Sequence, residues 1–217
     1  MVFPFDAVIF DFDGTIVDTE TPEVEVTRAI FNDYGHEFPD AVWKDHIGRG
    51  AEQISETPAA MLARLTGREL EGIKHERDRR FHDVVFAEGL RPGIARLIAD
   101  LSVYSIPKAV ASSSKRDWVT RHLTGRGLGD TFGVVCCAED VEHAKPFPDL
   151  YLLACEKLNV QPSRAVALED SPNGIRAAKA AGLTVIAIPN PLTQQLDLSQ
   201  ADEIWASAEL AQRWFNR

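Results

Sequence analysis

The stretch Val8-Ile9-Phe10-Asp11-Phe12-Asp13-Gly14-Thr15 decides the fold. Ala7 to Phe10 is an apolar run of strand length. It leads into two carboxylates one residue apart, then a glycine. In an extended chain residues i and i+2 point the same way. Asp11 and Asp13 are therefore expected to project from the strand end into one small space. Two such charges repel by about 4 kcal/mol at ~4 Å and an effective dielectric of roughly 20. A cation, a shared proton or a reaction has to offset that repulsion.

Downstream, the pattern is first helical. Thr21-Pro22 suits an N-cap followed by a first helical residue, with Val24, Thr27, Ile30, Phe31 and Tyr34 at helical spacing and Gly35 as terminator. After a polar segment containing Gly48-Arg49-Gly50, Thr57-Pro58 opens a second helix with Met61, Leu62 and Leu65 on one face. A longer, highly charged helix is predicted from Glu69 to Phe86. Residues 20–87 thus read as helices without a strand.

Glu88-Gly89-Leu90-Arg91-Pro92-Gly93 has the composition of a linker or hinge. Beyond it, strands and helices alternate. Strands are expected at Ala109–Ala111, Gly133–Cys137, Ala165–Leu168, Thr184–Ile188 and Glu203–Trp205. Helices are expected around Ile94–Leu101, Trp118–Leu123, from Pro148 to Leu158, at Pro172–Ala181 and, briefly, at Glu209–Phe215. Such alternation implies an α/β fold, a parallel-sheet core with helices on both faces. The expected domains are a core of residues 1–18 and 89–217 and a helical cap of residues 19–88. Ligands of open parallel sheets bind at the carboxyl ends of the strands. The cap leaves the chain beside Asp11 and Asp13, which suits a lid.

A chain of 217 residues can bury one sizeable core plus a small insert. It is 45% hydrophobic and 26% charged, so it reads as globular rather than disordered. The net charge of −10 argues against nucleic acid or an anionic membrane as partner. It leaves room for a small anionic substrate in a locally positive pocket. The start of the chain lacks the pattern of a secretory signal, and no apolar run reaches the ~20 residues needed to span a bilayer. Cys136, Cys137 and Cys155 form no C-x-x-C pair and read as buried free thiols. A cytoplasmic location is the expectation.

Three further strand ends carry polar groups. Ser112-Ser113-Ser114-Lys115 precedes a helix, so its hydroxyls either cap that helix or join its N–H groups in an anion site. Lys145 stands before Pro146-Phe147-Pro148, where two prolines restrain the backbone. Glu169-Asp170 ends a buried strand, with Ser171 as N-cap and Pro172 at the first helical position. Four carboxylates (Asp11, Asp13, Glu169 and Asp170) would then meet one lysine and a serine cluster. Hard oxygen ligands of this kind suit Mg²⁺. A carboxylate nucleophile, an acid/base carboxylate and cations beside a phosphoryl group are the parts of a phosphoryl-transfer site.

Asp11-Phe12-Asp13-Gly14-Thr15, Ser112, Lys145-Pro146 and Glu169-Asp170 stand in the order of the haloacid dehalogenase superfamily motifs. The chain resembles, over nearly its whole length, subfamily I with its helical C1 cap, which includes phosphoglycolate phosphatases and β-phosphoglucomutase-like proteins. The resemblance implies a Rossmann-like core and a role for each motif. Asp11 would be the nucleophile and form an aspartyl phosphate. Asp13 would protonate the leaving oxygen and then activate water, with its backbone carbonyl on Mg²⁺. Ser112 and Ser113 would bind phosphate, and Lys145 would hold nucleophile and phosphate together. Asp170 would ligate Mg²⁺, with Glu169 doing so directly or through water. Thr15 belongs to the hinge beside the site. In the cap, Glu23 and Arg49 are the candidates for substrate specificity; Arg49 reads equally as a solvated loop residue.

Other signals lead elsewhere or nowhere. Asp-x-Asp-Gly is not an EF-hand loop, because that loop needs its glycine at the sixth position. Gly125, Gly127 and Gly129 miss G-x-G-x-x-G, and the histidines lack metal-ligand spacing. His143 reads as a loop residue, and Trp118 and Trp205 as core. The expectation is a Mg²⁺-dependent phosphatase of a small phosphorylated metabolite, monomer or homodimer. The alternatives are a phosphomutase of the β-phosphoglucomutase type and a non-catalytic binding protein on the same fold. The mutase carries a histidine in its first cap helix, where this chain has Glu23. The binding protein would have lost Asp11 or Asp13, and both are present.

Overall fold

The computed structural model describes residues 3–39, 42 and 56–215. The chain divides into two compact units, Met1–Asp18 with Gly89–Arg217, and Thr19–Glu88.

The first unit is built on a six-stranded, all-parallel sheet. Its strands are β1 (Ala7–Phe10), β2 (Lys108–Ala111), β3 (Val134–Cys136), β4 (Ala165–Glu169), β5 (Thr184–Ala187) and β6 (Glu203–Ile204). They lie in the order β3-β2-β1-β4-β5-β6, the doubly wound order of the Rossmann-like folds. The chain reverses direction across the sheet on either side of β1. The carboxyl ends of β1 and β4 therefore flank the crevice where such sheets bind ligands. Residues of both parities in β1 and β4 are fully buried. Both faces of the sheet centre are thus covered, which is why these strands read as continuous apolar runs rather than alternating ones.

The helices of this unit are α4 (Ile94–Val103), α5 (Arg116–Gly125), α6 (Asp149–Leu158) and α7 (Pro172–Ala180). Leu150, Tyr151, Ala154 and Cys155 of α6 share a core with Ile175, Ala177 and Ala178 of α7 and with Ala7, Ile9, Ala109 and Ala167 of the sheet. The small alanines on the strands let these helices approach closely. Thr193–Gln195 and Ala208–Trp214 are 3₁₀ turns. Trp205 is buried, as the sequence suggests, with its ring 5.1 Å from that of Trp214. The three cysteines are buried and unbridged.

The second unit holds α1 (Glu20–Asp33), α2 (Pro58–Thr66) and α3 (Leu70–Ala87), with no strand among its described residues. Val26, Ile30, Phe31, Phe38, Ala59, Leu62 and Ile73 form its own core. Its start differs from the expected one. The N-cap is Thr19, not Thr21, and Pro22 lies inside the first turn. A proline is tolerated there because the first-turn N–H groups have no intrahelical acceptor. Thr57 caps α2 as expected, accepting from the Ala60 N–H at 3.3 Å, with Pro58 following. Among the described residues, no helix is long and apolar enough to cross a membrane.

Candidate active site

Asp11 follows β1 directly, and its N–H donates to the Leu168 carbonyl at 2.9 Å, which carries the β1–β4 pairing one residue further. The chain then turns back on itself. Gly14 takes a φ of 84°, Gly14 N–H bonds the Val17 carbonyl at 2.7 Å, and Ile16 N–H bonds that of Phe12 at 3.0 Å. The turn is made at Gly14, after the Asp13–Val17 bridge, and each of the two carboxylates has its own set of partners.

Asp11 is buried, and its Oδ1 accepts from the Lys145 ammonium at 2.5 Å. The same ammonium donates to Glu169 Oε1 at 2.7 Å and lies 5.1 Å from the centre of the Tyr151 ring. The Tyr151 hydroxyl donates to Glu169 Oε1 at 2.5 Å. On the other oxygen, Glu169 accepts from the Asp170 N–H at 3.2 Å and the Ser171 hydroxyl at 3.4 Å. Asp170 is buried and accepts from Asn190 Nδ2 at 2.8 Å. Ligand atoms of Asp11, Glu169 and Asp170 lie within 4.8 Å of one another, a buried cluster of three carboxylates.

Asp13 is held elsewhere in the site. Its Oδ2 accepts from Ser114 Oγ at 2.6 Å and Ser112 Oγ at 3.3 Å. Its Oδ1 accepts from the Trp118 indole N–H at 2.9 Å. Ser112 Oγ also accepts from the Ser114 N–H at 3.0 Å, as an N-terminal turn residue would. Ser113 is exposed, and its hydroxyl accepts from the Lys145 N–H at 3.3 Å. Thr15 is buried beside this loop.

The electrostatics follow from burial. Removing water from Asp11 pushes its carboxyl up to about 8, against the pull of Lys145 and with a further push from Glu169 and Asp13. Burial alone would lower the Lys145 ammonium, but Asp11 and Glu169 outweigh it and the net shift is upward. Burial, then the Glu169 charge, raises the Tyr151 phenol well above its ordinary value. Lys145 therefore stays a cation and Tyr151 a neutral donor.

Several supporting residues were not visible in the sequence. Arg91, in the stretch read as a linker, donates to the carbonyls of Gly14 at 2.5 Å, Ile188 at 2.7 Å and Pro189 at 2.7 Å, tying the Asp13-Gly14 turn to the end of β5. Asn190 adds a fifth polar strand end to those identified above. Tyr151 reads as an ordinary apolar-face residue of α6. Trp118 is a correction: it is half-buried rather than core, and its N–H is on Asp13. The tertiary fold decides that, because an indole needs only one acceptor and its sequence neighbours do not show which. Glu23 pairs with Arg77 at 3.5 Å within the second unit. Arg49 lies outside the described residues.

The family model for haloacid dehalogenase-like hydrolases matches residues 8–188. YhcW of Bacillus subtilis is 40% identical over 210 residues, covering 94% of each chain. Protein CbbY of Cereibacter sphaeroides is 35% identical over 227 residues, again covering 94% of each. The crystal structure of CbbY from Rhodobacter sphaeroides in complex with phosphate superposes with a TM-score of 0.71 at 30% identity, covering 94% of this chain and 95% of that one. The family match and these relatives make this a hydrolase, built on a Rossmann-like parallel sheet. The chain belongs to the haloacid dehalogenase-like hydrolases.

Proposed function

We propose that this enzyme hydrolyses a small phosphate monoester through a phosphorylated Asp11. The family is one of hydrolases, and relatives bear the names phosphorylated carbohydrates phosphatase (Thermotoga maritima, 33% identical) and validoxylamine A 7'-phosphate phosphatase (Streptomyces hygroscopicus, 31% identical). The observation that carries the reading is the Asp11 carboxylate, buried at the β1 end, with Lys145 on Oδ1 and, among the described residues, no hydrogen-bond partner for the buried Oδ2. A structural ion pair would satisfy both oxygens; a nucleophile keeps one available.

In the proposed reaction Asp11 attacks phosphorus and the bond from phosphorus to the ester oxygen breaks. Asp13 gives its proton to that oxygen, releasing an alcohol. Asp13, now a carboxylate, takes a proton from water, and the water oxygen attacks the phosphoryl group. The bond to Asp11 breaks, leaving inorganic phosphate and the starting enzyme. Lys145 neutralises Asp11 and the incoming phosphate. Ser112 and Ser113 supply hydroxyls at the phosphate-binding turn.

The donor set fits Mg²⁺. It is all oxygen, buried and crowded with negative charge. Asp11, Asp170 and the Asp13 carbonyl would hold the ion. Glu169 would act directly or through water, since both its oxygens already accept hydrogen bonds. Bound there, Mg²⁺ would supply the positive charge that keeps Asp11 ionised and offsets the phosphate.

The Thr19–Glu88 unit, as a cap, is proposed to carry substrate selection, with Glu23 and Arg49 as its candidates. A panel of phosphate monoesters with Mg²⁺ tests the whole reading. It should include β-glucose 1-phosphate with a bisphosphate primer, and both free phosphate and isomerised sugar should be followed. Free phosphate is the expected product. Isomerised sugar as the main product would select the mutase reading. Asp11→Asn is expected to remove turnover at unchanged thermal stability, and excess EDTA to stop it reversibly. Substantial activity in either case contradicts the site as drawn. Glu23→Ala should change the preference across the panel; an unchanged ranking would place Glu23 outside the pocket.

A further inference from the structure

We infer that Trp118 is a positioning residue for Asp13. The inference rests on the phosphatase reading, because Trp118 acts only through the residue assigned there as acid/base. Trp118 sits in the first turn of α5, half-buried, with its indole N–H 2.9 Å from Asp13 Oδ1. Ser114 and Ser112 approach the other oxygen at 2.6 and 3.3 Å. The carboxylate is gripped from two sides, so neither side-chain torsion of Asp13 is free to drift. An indole N–H can donate but never accept. It therefore orients a carboxylate without competing for the proton that Asp13 must pass on.

The indole is itself braced. His122, one turn along α5, lies against it with ring centroids 4.0 Å apart. His122 is buried, and Arg126, a further turn along, brings Nη1 to 2.9 Å of its Nδ1 and 3.2 Å of its carbonyl. A guanidinium only donates, so Nδ1 is the acceptor and the ring orientation is set. Phe12, between the two aspartates, has its ring 6.2 Å from that of His122. Trp118, His122 and Arg126, the C-cap residue, thus run down one face of α5 at i, i+4 and i+8, from a half-buried cation to the acid/base carboxylate. A tryptophan placed only to fill space would need none of this alignment with Asp13.

The test uses two substrates that differ in their need for a proton. An alkyl phosphate such as glycerol phosphate requires protonation of its leaving oxygen; p-nitrophenyl phosphate releases a stable phenolate without it. The quantity compared is kcat/KM, which covers steps only as far as the transfer to Asp11. Trp118→Phe is expected to lower kcat/KM for the alkyl phosphate about tenfold or more, and for p-nitrophenyl phosphate less than about threefold. Trp118→His, which restores a ring N–H, should recover part of the difference. Equal losses on both substrates would overturn the inference and leave a purely structural tryptophan. The alkyl phosphate is taken from those the unmodified enzyme hydrolyses in the monoester panel; if it hydrolyses none of the panel, the phosphatase reading itself fails. A measurement that needs no tryptophan variant stands beside these. The ¹⁵N–¹H signal of the Trp118 indole should move on Asp13→Asn, and an unmoved signal would also overturn the assignment.

Discussion

Glu169 shows how tightly the site is packed at the residue scale. A Cβ on Gly174 would overlap its carboxylate, so α7 can start beside Glu169 only with glycine there. Gly14 has the same relation to the Asp170 carboxylate, in a left-handed conformation besides. The charged groups of this site were legible in the sequence because buried charge at a strand end has few bland explanations. Asp11, Lys145, Glu169 and Asp170 come together as expected. Tyr151, Trp118 and Asn190 were not legible, because an aromatic on a helix face or an asparagine in a loop acquires its partner only through tertiary structure. Tyr151→Phe tests the importance of one such partner. It removes a donor from a fully buried carboxylate while keeping the ring under Lys145. The expected loss is about 1–3 kcal/mol in urea unfolding. A loss below ~0.5 kcal/mol would mean that Lys145 alone satisfies Glu169 Oε1.

At the scale of elements, the strands were read well and the helix ends less so. Buried parallel strands announce themselves as short apolar runs between turn residues, and Ala7–Phe10, Ala165–Glu169 and Thr184–Ala187 fall where those runs stand. α1 begins earlier than its proline suggests, since a first-turn proline does not specify which first-turn position it fills. The last segment was expected as a helix over Glu209–Phe215 and is a 3₁₀ helix, Ala208–Trp214. Its placement depends on a contact far away in sequence. Gly93, the residue before α4, has a φ of 84° and lies against the backbone of Ala208 and Glu209. Gly93→Ala adds both backbone strain and a clash with main chain that cannot rotate away. It is expected to cost about 2 kcal/mol or more and to speed amide exchange in Ala208–Trp214. Unchanged stability and exchange would show that this contact is not needed to seat the segment.

For the whole molecule, the division of the chain was legible because the periodicity changes. Helical spacing alone gives way near Gly89 to strand–helix alternation, and the compact units meet at Asp18/Thr19 and Glu88/Gly89. Strand order was not legible, since alternation specifies parallel pairing and not which strand lies beside which. Only the order β3-β2-β1-β4-β5-β6 explains why residues as distant as Asp11, Ser112, Lys145 and Glu169 share one sheet edge. That convergence is the basis for assigning Asp11 as a nucleophile rather than as one more acid on an acidic protein. The stereochemical course at phosphorus tests it most directly, using a monoester made chiral with oxygen isotopes. Transfer to Asp11 and then to water is two in-line displacements, and predicts net retention of configuration in the phosphate released. Inversion would mean that water attacks the ester directly, and would contradict the covalent role of Asp11.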